Sequence, residues 1–380
     1  MSEVALIRCE SYDYREVKSA VERGLELLGG AQRYVRAGEK VLLKPNLLAA
    51  AAPEECVTTH PSVFRAVAES LQSVGASLTY GDSPAIGSLE KVARRSGIQD
   101  AAEALGIKLA DFQHGRVVSF PGGLQNKQFT IAEAVLASDG LVSLPKFKTH
   151  GLTTLTGAVK NQFGCIPGFI KGEFHVKLQD VSLFSRMLVD LNRCLKPRLF
   201  VVDAITAMEG NGPRNGKPRQ MNALLLSADP VALDATASRL IGVAPESIPT
   251  TRAGQQMGLG TFKLEDIRLL GDDPDRLMVS GFNVGRKNSM MDFKNRRIRH
   301  MLVPRPQIDP ERCVKCGICV NMCPVKPAVV DWNGEDHSQP PVYDYDRCIR
   351  CYCCQEVCPE NAISLHTPWL GRAAGRFIKA

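Results

Sequence analysis

The sequence predicts an α/β fold in two unequal parts: a large N-terminal layered α/β domain on a mostly parallel sheet, and a small α+β domain at the C-terminus. Three observations carry this. The chain has 380 residues, and about 150 residues per domain is usual. Up to about residue 280, short apolar runs alternate with segments of helical period, the pattern of parallel strands joined by crossovers. Finally, nine of the thirteen cysteines fall between Cys313 and Cys358, so the C-terminal part is built differently.

Taken in order, residues 39–45 (EKVLLKP) form an apolar run ended by proline and predict a buried strand. Residues 60–74 carry apolar positions at helical spacing, with Pro61 in the first turn and Gly75 after the last. Residues 76–80 predict the next strand, Gly81-Asp82-Ser83-Pro84 a turn, and residues 89–96 a helix ending at Gly97. Further strands are expected at 140–145 and 198–203, and further helices at 177–194 and 230–241.

Ligands of such sheets bind beyond the carboxyl ends of the strands, and polar residues collect there. Lys44 and Asn46 follow the first strand; Asp82 and Ser83 follow the second. Lys146, Lys148 and His150 follow the third; Asp203 ends the fourth, with Glu209 shortly after. Lysines in this position can clamp a carboxylate or phosphate, and carboxylates can bind a cation or relay protons. Each residue also has a plainer role, since Asp and Asn cap turns and a strand-end lysine is ordinarily solvated. His150 lies in a basic, glycine-flanked turn and is a candidate proton donor; a buried or capping histidine is the alternative. The glycine-punctuated stretch 153–168 contains neither phosphate-loop pattern, so no nucleotide site is expected. It reads as a substrate-covering loop or a connector, with Lys160 and Asn161 as contacts and Cys165 as a packing residue.

These residues resemble the family called domain of unknown function 362. The resemblance is carried by Lys44-Pro45-Asn46, Thr59-His60-Pro61, Gly81-Asp82-Ser83-Pro84, Pro145 to His150, Gly157-Ala158-Val159-Lys160-Asn161, and Asp203-Ala204 with Glu209 to Pro213. It implies a shared site at these positions and is silent on substrate.

The cysteine-rich part reads Cys313-x2-Cys316-x2-Cys319-x3-Cys323-Pro324 and, again, Cys348-x2-Cys351-x2-Cys354-x3-Cys358-Pro359. Three thiolates two residues apart wrap one face of a cubane, and the fourth points to the other cluster. The spacing therefore assigns two 4Fe-4S clusters: one to Cys313, Cys316, Cys319 and Cys358, the other to Cys348, Cys351, Cys354 and Cys323. Zinc sites use pairs rather than such triplets, and Cys353 is out of register. Residues 307–365 resemble the two-cluster bacterial ferredoxin domain, with a longer middle in which residues 329–334 start an added hairpin.

Charge adds little. The net charge of +7 owes much to a segment with Arg286, Lys287, Lys294, Arg296, Arg297, Arg299 and Arg305 against a single acid, Asp292. A solvated connector fits best, then a docking face for an acidic redox partner; nucleic-acid binding lacks any accompanying motif. No run approaches the roughly 18 apolar residues of a membrane span. Glu3 and Arg8 make the start unlike a signal peptide, so a cytoplasmic protein is expected.

The expected organisation is an α/β domain at 1–280, a basic linker at 281–306, the two-cluster domain at 307–366 and a tail at 367–380. The expected activity is an iron-sulfur reductase. Electrons would come from a ferredoxin-like or other redox protein, Lys44, Lys146 and Lys148 would bind an anionic small molecule, and His150 would deliver protons with Asp82, Asp203 or Glu209. The alternative is an electron carrier docking onto a partner oxidoreductase.

Overall fold

The computed structural model of the chain describes residues 1–168, 170–285, 300–334, 336–368 and 370. The N-terminal strands are β1 (Ser2–Arg8), β2 (Lys40–Pro45), β3 (Ser77–Tyr80), β4 (Lys108–Leu109), β5 (Gly115–Ser119), β6 (Gln128–Ala132), β7 (Gly140–Leu144), β8 (Lys146–His150), β9 (Thr154–Thr156), β10 (Leu199–Glu209), β11 (Lys217–Ser227) and β12 (Ile267–Gly271). Among the described residues ten of them form one sheet, ordered β12-β1-β11-β10-β7-β2-β3-β4, with β8 pairing on β10 and β9 on β8. Most neighbours on this path are parallel; only β11 runs against β1 and β10.

Alternate residues of the strands feed two separate cores. Ala5 and Ile7, Val201 and Ile205, Leu224 and Leu226 lie in one; Val4 and Leu6, Phe200 and Val202, Leu225 lie in the other. Both faces are thus covered, as a parallel sheet requires. Each of the Val, Leu, Ile and Phe side chains among them contributes about 1.5–3 kcal/mol on burial. The helices α1 (Tyr14–Leu27), α2 (Pro61–Gln72), α3 (Leu89–Arg95), α4 (Ile98–Glu103), α5 (Glu133–Leu136), α6 (Ala158–Asn161), α7 (Ile170–Lys177), α8 (Val181–Leu195), α9 (Pro230–Leu240) and α10 (Pro249–Gln256) supply the outer layers. The helix expected at 60–74 is α2, started by Pro61 with His60 Nδ1 accepting from the Ser62 N–H at 3.2 Å.

Three differences from the sequence reading matter for the site. The strand at 140–145 does not end in a turn: Pro145 interrupts the ladder, and the chain resumes as β8, pairing with β10 at Lys146–Asp203. Correspondingly, β10 runs on past Asp203 to Glu209, with an irregularity between Ala204 and Thr206. The helix expected at 177–194 is α8, which starts four residues later because Asp180 caps it, its carboxylate accepting from the Ser182 and Leu183 N–H groups. Of the basic segment, residues 286–299 lie outside the described residues, as does the tail from 371 onward.

In the C-terminal part β13 (Arg305–Ile308) pairs with β16 (Ile363–His366). The added hairpin is β14 (Val330–Asp331) with β15 (Val342–Tyr343). This part is clamped by the loop after β10. Asn211 Nδ2 donates to Asn361 Oδ1 (2.8 Å), Gln355 Nε2 to Asn211 Oδ1 (2.9 Å), Asn215 Nδ2 to the Gln355 carbonyl (3.1 Å) and Arg214 Nη1 to the Val357 carbonyl (3.1 Å). Tyr352, 2% exposed, reaches into the N-terminal core beside Gly151, where a Cβ would stand 3.4 Å from the tyrosine ring.

Candidate functional site

The two cysteine quartets gather around two separate cavities. Cys313, Cys316, Cys319 and Cys358 line one; Cys323, Cys348, Cys351 and Cys354 line the other. This is the crossed pairing that the spacing predicts, and the donor chemistry fits a four-iron cluster in each. Burial, then the neighbouring thiols Cys313, Cys316 and Cys358, push the Cys319 thiol up to about 12, a cost that binding iron as thiolate removes. Lys315 (φ 58°) and Arg350 (φ 59°) occupy equivalent places in the two loops, followed by Gly317 (φ 69°) and Tyr352 (φ 64°). Glycine is the natural occupant of this left-handed backbone; Tyr352 holds it through burial and an Oη hydrogen bond to the Pro304 carbonyl at 3.0 Å. Donors reach the sulfurs in both halves: the Ala362 N–H to Cys358 at 3.3 Å and Tyr343 Oη to Cys354 at 3.2 Å.

Between the sheet's polar edge and the cysteine module lies a cleft of about 1260 Å³. Asn46, Asp82, Ser83, Lys148, Lys160, Asn161 and Lys171 line one side; Ile318, Met322, Cys323, Cys353, Glu356 and Val357 line the other. Lys44 stands just behind, 2.8 Å from Asp82 Oδ1, and the pair is fully buried. Gly164 makes room for it: a Cβ there would stand 1.8 Å from Asp82 Oδ1. Asn161 ties the wall together, its Nδ2 donating to Ser143 Oγ at 2.9 Å and its Oδ1 accepting from Lys44 Nζ and Asn46 Nδ2 at 3.3 Å. It sits on α6, whose N-terminus is held by Asp234, accepting from the Ala158 and Val159 N–H groups at 2.6 and 3.1 Å. Gly157 permits that approach, since its Cβ would stand 2.0 Å from Asp234 Oδ1. Burial pushes the Asp234 carboxyl up to about 7.

Three lysines on this wall make no ion pair with a carboxylate among the described residues, and the carboxylate that acts on Lys160 from further off is Glu356. Lys148 Nζ donates to Asn46 Oδ1 (2.6 Å) and the Val57 carbonyl (2.8 Å). Lys171 donates to Ser83 Oγ (2.9 Å) and to the carbonyls of Ser83 and Pro84. Lys160 has the Phe163 ring at 5.8 Å. Burial, then the charges of Lys160 and Lys146, push Lys148 down to about 7; burial pushes Lys171 down to about 8 and Lys160 down as well.

Lys146 and Asp203 are not part of this wall. Lys146 Nζ stands 2.9 Å from Asp203 Oδ2 and donates to Tyr12 Oη at 2.7 Å. Tyr12 in turn donates to Asp203 Oδ1 (2.7 Å), and the His60 N–H donates to Oδ2 (3.0 Å). The knot is buried and every partner is satisfied. Glu209 also lies apart, its carboxylate accepting from the Asn283 N–H at 2.8 Å.

His150 is buried behind the cleft. Its Nδ1 accepts from the N–H groups of Leu152 (2.9 Å) and Thr153 (3.3 Å), so the proton is on Nε2. Nε2 stands 3.0 Å from Glu356 Oε1, without the alignment of a hydrogen bond. The carboxylate beside this histidine is therefore Glu356 of the cysteine module rather than Asp82, Asp203 or Glu209. Burial, the largest effect, and Lys160 push His150 down. Burial pushes Glu356 up, but His150, Lys160 and His175 outweigh it and hold the carboxyl at about 2. Sequence reasoning missed Glu356, Lys171 and Cys353 as cleft residues. Glu356 sits inside the second cysteine run, where only the cysteines carry a signal.

The fold and the paired cysteine cavities define an α/β protein carrying a dicluster iron-sulfur module, with an electron-transfer role. The chain matches the domain of unknown function DUF362 over residues 41–239 and a 4Fe-4S dicluster domain over residues 305–359. A thylakoid-associated protein of Synechocystis sp. is 36% identical over 295 residues, 74% of this chain and 91% of that protein. The chain belongs to the DUF362 family and binds two 4Fe-4S clusters. Among solved structures, a Thermotoga maritima protein (TM-score 0.38) covers 59% of this chain at 12% identity. The lactate racemase apoprotein of Thermoanaerobacterium thermosaccharolyticum (TM-score 0.40) covers 62% at 12% identity. The matches span 57% and 55% of those two chains. No helix among the described residues is long and apolar enough to cross a membrane.

Proposed function

We propose that the protein is an iron-sulfur reductase of an anionic small molecule held in the cleft. The observation that carries this reading is the pairing of the two walls: three lysines without a carboxylate partner among the described residues face Cys323 and Cys353. Buried cations of this kind are stabilised by a ligand carrying the opposite charge. Cys313, Cys316, Cys319 and Cys358 would hold one cluster, and Cys323, Cys348, Cys351 and Cys354 the other. Bound clusters supply single electrons. The residues of the chain do the rest. Lys160 on α6 and Lys171 on α7 bind the anion, Lys148 and Asn161 orient it, and Ile318, Met322 and Val357 exclude water from its far side. Glu356, backed by His150, is the carboxylate that the cysteine module brings to this cleft. Lys44 and Asp82 act as a support for Asn161, and Lys146 and Asp203 serve the fold.

The test is anaerobic. Protein reduced with limiting dithionite is mixed with fractionated small molecules while cluster absorbance is followed. Reoxidation by one fraction, slowed about 10–100-fold by K160A with iron content intact, is expected for the loss of one charged contact. Clusters that stay reduced until a protein fraction is added would instead make the chain an electron carrier. The exposed Cys316 and Val314 at the module's far edge would then be its contact.

A further inference from the structure

The two halves of the cysteine module repeat each other in spacing and backbone but differ in charge at one equivalent position. Lys315, between Cys313 and Cys316, is exposed. Arg350, between Cys348 and Cys351, is 4% exposed, and its Nε, Nη1 and Nη2 have no hydrogen-bond partner among the described residues. Its guanidinium lies over the Tyr345 ring at 5.1 Å, and Arg305 lies over the same ring at 4.9 Å. A stack on tyrosine offers no anion. A buried guanidinium without a counter-charge is strongly unfavourable, so something within this pocket must supply one, and the adjacent quartet Cys323, Cys348, Cys351 and Cys354 is the group at hand.

We infer that Arg350 is a positioning residue for charge: it compensates the cluster held by Cys323, Cys348, Cys351 and Cys354 and raises that cluster's reduction potential above that of its twin. Adding an electron makes a cluster more negative, so a fixed buried cation beside it favours the reduced form. An exposed lysine does the same only weakly, because water and salt screen it. Hydrogen bonds to sulfur reach both quartets, from the Ala362 and Val320 N–H groups in one and from Tyr343 Oη and the Arg350 N–H in the other, so the distinguishing feature is the buried charge. Burial of Cys323, Cys348 and Cys354 works the other way and would by itself lower this potential; the buried arginine reverses the order. A singly reduced chain then keeps its electron on the quartet that includes Cys323, the one against the cleft.

Redox potentiometry of the full chain, read by EPR, tests this with R350Q, R350K and K315Q. Wild type is expected to show two potentials, and R350Q to lower the higher of them by at least tenfold in reduced fraction at fixed ambient potential, about 59 mV for one electron. K315Q is expected to shift neither by that much, and R350K to restore the wild-type values. Both potentials unmoved in R350Q, or only the lower one moved, would overturn the inference. Should R350Q fail to retain eight irons per chain (about four per cluster), R350K decides. Eight irons with both potentials preserved support the role of charge, and loss of the cluster despite the retained charge overturns it.

Discussion

Lys146 and Lys148 lie two residues apart on β8, both buried, yet they serve different regions. Lys146 points into a closed knot with Asp203 and Tyr12 in which every charge is answered. Lys148 points to the cleft, where an amide and a carbonyl are its only partners among the described residues. A buried lysine with its own carboxylate holds a fold together. One without a carboxylate is poised for a charge from outside, and the two are told apart by partners rather than by burial.

The largest expected effect breaks the knot. K146M leaves Asp203 buried and unpaired and is expected to lower unfolding free energy by about 3–5 kcal/mol, read from denaturant midpoints. K148M removes a cation that has no counter-charge, so its stability should stay within about 1 kcal/mol of wild type. Equal losses for the two variants would erase the distinction. G164A is expected to cost about 3 kcal/mol, because its Cβ forces apart the Lys44–Asp82 pair; an unchanged melting curve would show that the pair has room to move.

The comparison sharpens with pH. Lys148, pushed down to about 7, and Lys171, pushed down to about 8, are cations below those values and neutral above them. Affinity of the cleft for an anion should therefore fall as pH rises from about 6 to about 9, and K148M should flatten the lower part of that profile in calorimetric titration. Stability should move in the opposite sense. Between about 7 and about 10.4 the unfolded chain holds the protons that these folded lysines have released, so their contribution makes stability rise with pH. The smallest effect is expected at the clamp. N211A removes hydrogen bonds to Gln355 and Asn361 and should cost about 1 kcal/mol, seen as faster limited proteolysis of the cysteine module.

Much of this was legible in residue order. The cysteine spacing predicted both quartets because cluster geometry dictates it locally. Lys44, Asn46, Asp82, Ser83 and Lys148 were grouped by the strand-end rule, and Lys160 and Asn161 by the glycine-punctuated stretch after it; the structure brings all seven together. The same rule grouped Lys146 and Asp203 with them, since Pro145 looked like the end of a strand when it is only a break in the ladder. That β8 resumes beside β10, turning Lys146 onto Asp203, depends on a pairing 57 residues away in sequence. Glu356 was invisible for a related reason: its place opposite His150 comes from how one domain sits on the other. The motif Glu209 to Pro213 belonged to the predicted site, yet Asn211 in it grips the cysteine module.

The cleft is walled by two parts of the chain, with Lys160 on one and Cys323 and Glu356 on the other. A ligand bridging them binds only when both are native, so its binding energy is shared by both. Filling the cleft should therefore fuse two unfolding steps into one, turning a pair of neighbours into a single cooperative body whose calorimetric peak reports occupancy directly.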